Sequence, residues 1–251
     1  MDEKSFSTKE SKSSKDVLDF YDLYAESWDK RFGDTESVKE FHKIRLESFF
    51  KLAGLTKDKD CAELGVGTGP YVTDIAPLVK NLICVDGSKG MLEVLEKKIS
   101  HLNNIQLKQI DLSKPMEKSL FQVDIVYFFG LIEHVINIDN LIKNCRLMLN
   151  KGGKIVVISS NGLSPWYHGI RKPFRGGIHC TTDKYYSRKS LGNIMALHGF
   201  QEVGYIYWGF FPAGVTGLLY KFFRFIGALI EKTPFKKFGG GMTISYKFND
   251  Q

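Results

Sequence analysis

From residue 60 onward the apolar positions come in short runs of five or six residues. The runs are DCAEL at 60–64, NLICV at 81–85, IQLKQI at 105–110, VDIVYF at 123–128 and KIVVIS at 154–159. Short runs of this kind, separated by helical segments, read as strands. Between them apolar residues recur every three or four positions at about 70–79, 88–99 and 138–149, which predicts helices. Strands alternating with helices predict a parallel sheet wound with right-handed crossovers.

Two helices are predicted ahead of this region. DVLDFYDLYAESWDKRFG, from Asp16, spaces Val17, Phe20, Tyr21, Tyr24 and Trp28 as one helical face, and a second helix covers 37–52 and stops near Gly54. After the fifth strand the rhythm changes. A helix at 187–198 leads into a strand at 201–208, and a last strand at 242–248 follows without a helix suited to a parallel crossover. These last two strands are expected to pair antiparallel at the sheet edge. The fold class is therefore α/β, a Rossmann-like sheet of seven strands, mostly parallel with an antiparallel last strand, and helices on both faces.

Composition narrows the class. The chain has 251 residues, 43% hydrophobic and 25% charged, as in ordinary soluble globular proteins. Its four cysteines are scattered without a CxxC pair, which argues against a disulfide framework or a zinc site and for a reducing, cytoplasmic setting. Residues 1–15 are polar, lack the apolar core of a secretory signal, and read as a disordered lead-in. The net charge of +7 is localised: residues 161–240 hold 11 Lys and Arg against 3 Asp and Glu, while 1–160 hold 23 against 24. Such asymmetry suits an anionic partner, or a solvated basic face that serves solubility.

The stretch CAELGVGTGPYV, 61–72, places Gly65, Gly67 and Gly69 directly after the first strand. Glycines there let the chain turn tightly and bring its backbone against a ligand, with the N–H groups of the following helix facing it. Asp86 ends the second strand, 21 residues after Gly65, where an acid can bind both hydroxyls of a ribose. Asp111 ends the third. A dinucleotide site would use GxGxxG, but here Gly69 is followed by Pro70, and Glu63 stands two residues before the first glycine. A carboxylate at that point repels a pyrophosphate and suits an ammonium-bearing ligand.

Taken in order, ELGVGTG, VDGS, QIDLS and LMLNKGGKIVVIS resemble the successive motifs of class I S-adenosylmethionine-dependent methyltransferases over about residues 60–160. GLIEHV at 130–135 and the later HCTTDKYYSRKSLGNIMALHGF are most similar to the small-molecule O-methyltransferases of ubiquinone biosynthesis and their relatives. The resemblance implies S-adenosylmethionine as cofactor. It implies that Gly65 and Gly67 meet the methionine part, with Glu63 nearby directly or through water, and that Asp86 holds the ribose. Gly87, Ser88 and Met91 would line the adenine, although helix packing accounts for Met91 equally well. Asp111 would bond the adenine amino group, the Leu112 N–H a ring nitrogen, and backbone carbonyls from Phe128 to Gly130 the ammonium. The segment 16–54 would be a helical lid, with Tyr21, Tyr24 and Trp28 folding over the donor, ahead of a methyltransferase domain at 55–251.

Methyl transfer to oxygen needs alignment, exclusion of water and a base tuned near neutrality. His134, after the fourth strand, is the first candidate base. Glu133 is its partner, either orienting it or helping to hold a divalent cation. His168 and His179 are second-line, and His42, His101 and His198 read as surface or helix-end residues. Methylation of base amines usually goes with an Asn or Asp, two prolines and an aromatic at the end of strand four; FFGLIEHV has neither the Asn or Asp nor the prolines, which argues against that class of nucleic-acid acceptor. Two insertions, 160–185 and 209–240, are expected to cover the acceptor entrance. The second, rich in Phe and Leu with Lys and Arg at intervals, reads as a helix lying on an anionic membrane surface or as a lid over a lipid-like acceptor. An RNA-modifying enzyme using the basic 161–240 region, or a donor-binding subunit without catalysis, are the other readings.

Overall fold

The computed structural model describes residues 13–32, 35–165, 184–211 and 215–248. Strands β1 (Asp60–Leu64), β2 (Asn81–Asp86), β3 (Ile105–Gln109), β4 (Val123–Phe129), β5 (Leu149–Ser160), β6 (Phe200–Trp208) and β7 (Gly241–Phe248) form one sheet. Their order is β3-β2-β1-β4-β5-β7-β6. The first five are parallel, and β7 runs antiparallel to both neighbours. The expected antiparallel pair is present, but β7 lies inside the sheet and β6 forms the edge. The order reverses between β1 and β4, the point at which open α/β sheets bind ligands beyond their carboxyl ends.

Alternate residues of the inner strands enter two cores, which is why most of these runs are apolar, whereas the edge strand β3, IQLKQ, alternates with polar residues. Ala62, Leu64, Val126, Phe128, Ile155 and Val157 face α5 (Ile138–Met148) and α6 (Arg188–Leu197). Cys61, Ile125, Tyr127, Val156 and Ile158 face α2 (Glu36–Ala53) and α4 (Lys89–Ile99). Cys61, Cys84 and Cys145 are buried thiols within these layers.

The N-terminal segment differs from its expected form in two respects. Helix α1 runs Ser14–Tyr24, opened by a capping box between Ser13 and Asp16, and then breaks into 3₁₀ turns at Ala25–Ser27 and Asp29–Phe32. The single helix through Trp28 is thus a helix followed by short turns, and α1 starts at Ser14, inside the expected lead-in. Helix α2, read as part of a lid, belongs to the core. Phe49 and Ala53 are fully buried, Phe49 packs 4.6 Å from Tyr127 centroid to centroid, and Ser48 shares a 2.6 Å hydrogen bond with Thr243 of β7. Only the part before residue 35 stands outside the sheet layers. Helix α3 is a single turn, Val72–Ile75, rather than a helix to 79. Pro77 explains this: it has no N–H for the helical ladder, and a 3₁₀ turn at Ala76–Leu78 takes over.

Candidate active site

The carboxyl ends of β1 to β5 open into a cavity of about 1450 Å³. Pockets for one small molecule usually span roughly 300–1,000 Å³, so this one has room for two ligands together. Its floor begins with the glycine turn. Gly65 and Gly67 have φ of +65° and +57°, a left-handed region that side chains disfavour. A Cβ on Gly67 would meet nothing within 4 Å, so the space beside it belongs to the cavity that Gly67 lines. A Cβ on Gly65 would strike Leu131 at 2.6 Å.

Asp86 fixes this turn to β2. Its Oδ2 accepts from the Gly67 N–H at 2.8 Å and its Oδ1 from the Ser88 N–H at 2.9 Å. Burial pushes its pKa up while these backbone bonds pull it down. A carboxylate has about four acceptor positions, so capacity remains for a diol in the cavity.

Glu63 is 1% exposed, and its Oε2 has no hydrogen-bond partner among the described residues. Burial raises its pKa to about 8, partly offset by the Tyr127 hydroxyl and by Arg45. Tyr127 is near enough to act electrostatically but outside hydrogen-bond geometry. A buried, unsatisfied acceptor costs roughly 1–3 kcal/mol, which a cationic ligand at this point would relieve.

Arg45 on α2 faces the same side of the sheet and was not anticipated. Its guanidinium lies 5.6 to 6.0 Å from the ring centroids of Phe41, Tyr71, Phe129 and Trp208, and its buried Nε has no hydrogen-bond partner among the described residues. His42, set aside as a surface residue, also lines the cavity. Its Nδ1 is 2.7 Å from the Tyr71 hydroxyl, and burial, with Arg45 close by, lowers its pKa to about 4. Phe41, Arg45 and Phe49 lie four residues apart on one helical face, so an arginine inside an apolar stripe was the available signal.

Helix α1 closes one side of the cavity. Val17, Leu18, Tyr21 and Trp28 line it, and Leu18 packs where a Cβ on Gly87 would be, 2.5 Å from its Cδ2. A polar latch holds the helix. Asp22 Oδ1 accepts from Ser88 Oγ at 2.6 Å and from the Gly90 N–H at 2.8 Å, placing negative charge at the start of α4, where the helix dipole favours it. Asp29 adds bonds from Thr68 Oγ1 at 2.6 Å and Lys98 Nζ at 2.5 Å.

Of the residues expected in the site, Glu63, Gly65, Gly67, Asp86, Gly87, Met91, Asp111, Leu112, Gly130, Glu133, His134 and Trp28 line this one cavity. Three do not. Ser88 is buried, capping α4 and bonding Asp22. Phe128 points into the α5 and α6 core, so only its backbone could serve. Tyr24 packs against Phe20 at 4.8 Å, because the break after it turns the chain away.

Strand β4 stands fourth of seven, between the strands carrying Glu63, Asp86 and Asp111 and those leading to the later insertions. His134 sits on the loop after it, held by a bond from its own N–H to the Leu131 carbonyl, with the Tyr21 ring 6.1 Å away. Glu133 is 4% exposed, and its Oε1 accepts from the Ser160 N–H at 2.7 Å, tying this loop to the end of β5. Among the described residues no three His, Cys, Asp or Glu side chains cluster as metal ligands. His168, His179 and most of the 160–185 insertion lie outside the described residues. Beyond β4 the lining is mainly apolar, with Trp208, Phe210, Phe211, and from α7 (Gly217–Ile230) Phe223 and Ile230, beside the hydroxyl-bearing Ser159, Ser160, Ser164, Tyr185 and Thr233.

The residues present therefore fit a zwitterionic amino-acid end, through unsatisfied Glu63 and Arg45, joined to a ribose near Asp86. Residues 62–157 match the methyltransferase domain family. A ubiquinone biosynthesis O-methyltransferase of Acinetobacter baumannii (strain AYE) is 22% identical over 148 residues, which are 58% of this chain and 62% of that protein. Among solved structures, a methyltransferase from Thermotoga maritima described as a possible histamine N-methyltransferase superposes with a TM-score of 0.65 at 16% identity, over 92% of this chain and 100% of that one. The geranyl diphosphate C-methyltransferase of Streptomyces coelicolor A3(2), bound to S-adenosyl-L-homocysteine, gives 0.62 at 14% identity, over 96% of this chain and 100% of that one. Family match and sheet order agree: residues 62–157 match the methyltransferase domain family within a chain of Rossmann-like methyltransferase fold.

Proposed function

We propose that the protein transfers a methyl group from S-adenosylmethionine to an oxygen of an apolar, lipid-like acceptor, with His134 as the general base. The donor supplies a methyl already activated by positive sulfur, so the chain's own work is binding, alignment, exclusion of water and removal of one proton. Glu63 would hold the ammonium and Arg45 the carboxylate. Asp86 would hold the ribose hydroxyls, while Asp111 and the Leu112 N–H would read the adenine. Helix α1, latched through Asp22, acts as the lid.

The observation that carries the reading is the position of His134 on the central strand's loop, with acids on one side and a mainly apolar lining on the other. A phenol or carboxylic acid reaching from the apolar half would present its oxygen near the imidazole. Glu133, bonded to the Ser160 amide, acts as a positioning residue for that loop.

The test uses methyl-labelled donor with a total lipid extract, a polar-metabolite extract and bulk RNA. Label should enter the lipid fraction, and His134→Ala should cut that transfer about a hundredfold or more with donor affinity near normal. Label in the polar fraction or RNA alone would refute the lipid-like acceptor. Turnover of His134→Ala within a fewfold of wild type would remove His134 as base.

A further inference from the structure

We propose that the outer face of α7, with the turn that follows it, is a docking surface for bilayers rich in anionic lipid, and that the cavity mouth opens onto that bilayer. What passes through the mouth rests on the lipid-acceptor reading above; the surface itself is argued from its own geometry.

Helix α7 presents two unlike faces. Tyr220 and Gly227 are buried against the body, and Arg224 anchors that side through a 3.0 Å ion pair with Glu40. On the opposite side Leu218, Phe222, Phe225 and Leu229 are 85%, 57%, 64% and 50% exposed. Their spacing of four, three and four residues sets them in one stripe along the helix. A helix packed on a globular body normally turns its polar residues outward, and here the outward stripe is apolar. The turn beyond the helix continues the pattern, with Phe235 and Phe238 at 64% and 39% exposure.

Charge selects the occupant. Lys221, Lys232, Lys236 and Lys237 are exposed around this stripe, against Glu231 as the single acid between residues 215 and 240. Apolar side chains flanked by lysines match an anionic interface, where the rings enter the acyl boundary and the ammonium groups meet the headgroups. A second copy of the same face would bring lysines against lysines. Crossing the bilayer is not open to α7, whose 14 residues reach about 21 Å against a hydrocarbon core near 30 Å. None of the described helices is long and apolar enough to span.

The mouth joins the two features. Leu229, Phe235 and Phe238 line the cavity and are exposed at the same time. An apolar chain leaving a bilayer held against this face would pass over them without crossing water.

The experiment is flotation of the full chain with phosphatidylcholine vesicles, alone and with added phosphatidylglycerol, at low and high salt. Binding should be about tenfold or more stronger on the anionic vesicles and should weaken with salt. Phe222→Ser with Phe225→Ser should reduce it at least about tenfold. Lys232→Glu, Lys236→Glu and Lys237→Glu together should abolish the anionic preference. Both variants should keep wild-type affinity for S-adenosylhomocysteine, which establishes that they fold. Wild type that fails to float on anionic vesicles at low salt overturns the proposal. So does a dimer, seen by sedimentation velocity, that the Phe substitutions dissociate while vesicle binding is absent. If flotation fails but label still enters detergent-dispersed lipid, the docking surface falls and the acceptor reading stands. If flotation succeeds without lipid methylation, the acceptor reading falls alone.

Discussion

Replacing Glu63 by Gln keeps the shape of the side chain and removes its titration, and the resulting change can be counted in protons. A carboxyl titrating at about 8 is roughly nine-tenths protonated at pH 7 in the ligand-free protein. Pairing with the donor's ammonium requires the carboxylate, so binding should expel that proton. The ligand's own amino group stands beside its free carboxylate, which keeps it charged well above about pH 8, so it takes up almost no proton at pH 7. The net release is then about 0.9 at pH 7, close to one at pH 6, and about one half at pH 8. Glu63→Gln should show almost none. Comparing the two proteins isolates Glu63 from Asp86, which both retain.

Affinity is the weaker readout. A charge-assisted hydrogen bond contributes about 1.5–3 kcal/mol, but ionising Glu63 one pH unit below its pKa costs about 1.4 kcal/mol. At pH 7 the substitution therefore weakens binding only about one- to fifteenfold. Isothermal calorimetry of S-adenosylhomocysteine in phosphate and in Tris, whose ionisation enthalpies differ, gives the proton number directly. Equal enthalpies in the two buffers for wild type at pH 6.5–7 would show that Glu63 is already charged or is not the ammonium partner, and the assignment would fail.

Three further outcomes are expected. Asp86→Ala should weaken S-adenosylhomocysteine by roughly 1.5–3 kcal/mol through loss of a charged acceptor; unchanged affinity in a folded variant would remove Asp86 from the ribose. Asp22→Ala should free the latch, so that amide exchange over Ser14–Tyr24 speeds up and its slowing on ligand addition is reduced; identical protection in both proteins would reject the lid. His42, held neutral with a pKa near 4 against 6.5 unfolded, contributes stability that is present above about pH 6.5 and lost as pH falls through 4. His42→Gln should therefore flatten the decline of the unfolding temperature over that range, and parallel curves would contradict it.

How far the sequence could be read follows from where side chains point. Inner strands buried on both faces leave short apolar runs, and the edge strand β3 leaves an alternating one, so β1 to β5 were legible within a few residues, and the acids at the ends of β2 and β3 came with them. The glycine turn was legible because Gly65 and Gly67 need a backbone that other residues resist. His42 was not, because a polar residue on an amphipathic helix looks solvent-facing until its neighbours are known, and Arg45 was marked only by its place between Phe41 and Phe49 on one helical face. Tyr24 and Trp28 share a helical face only if the helix continues, and the break after Tyr24 depends on contacts with α4 that no local pattern records. The place of β7 inside the sheet was equally hidden, since pairing partners distant in sequence leave no periodic trace.

That place of β7 bears on how the chain is made. Ser160 to Lys154 on one side and Trp208 to Phe200 on the other are both held through residues 241–248, the last of the seven strands in chain order. Until it emerges, β5 has an open edge and β6 has nothing to pair with, so the half of the sheet beside the apolar part of the cavity forms only after residue 248 has left the ribosome. The first four strands need no such wait. The donor-binding half can assemble on the nascent chain while the apolar half, including α7, is still without its sheet. Removing residues 241–248 would thus leave a half-formed sheet with exposed edges, prone to associate.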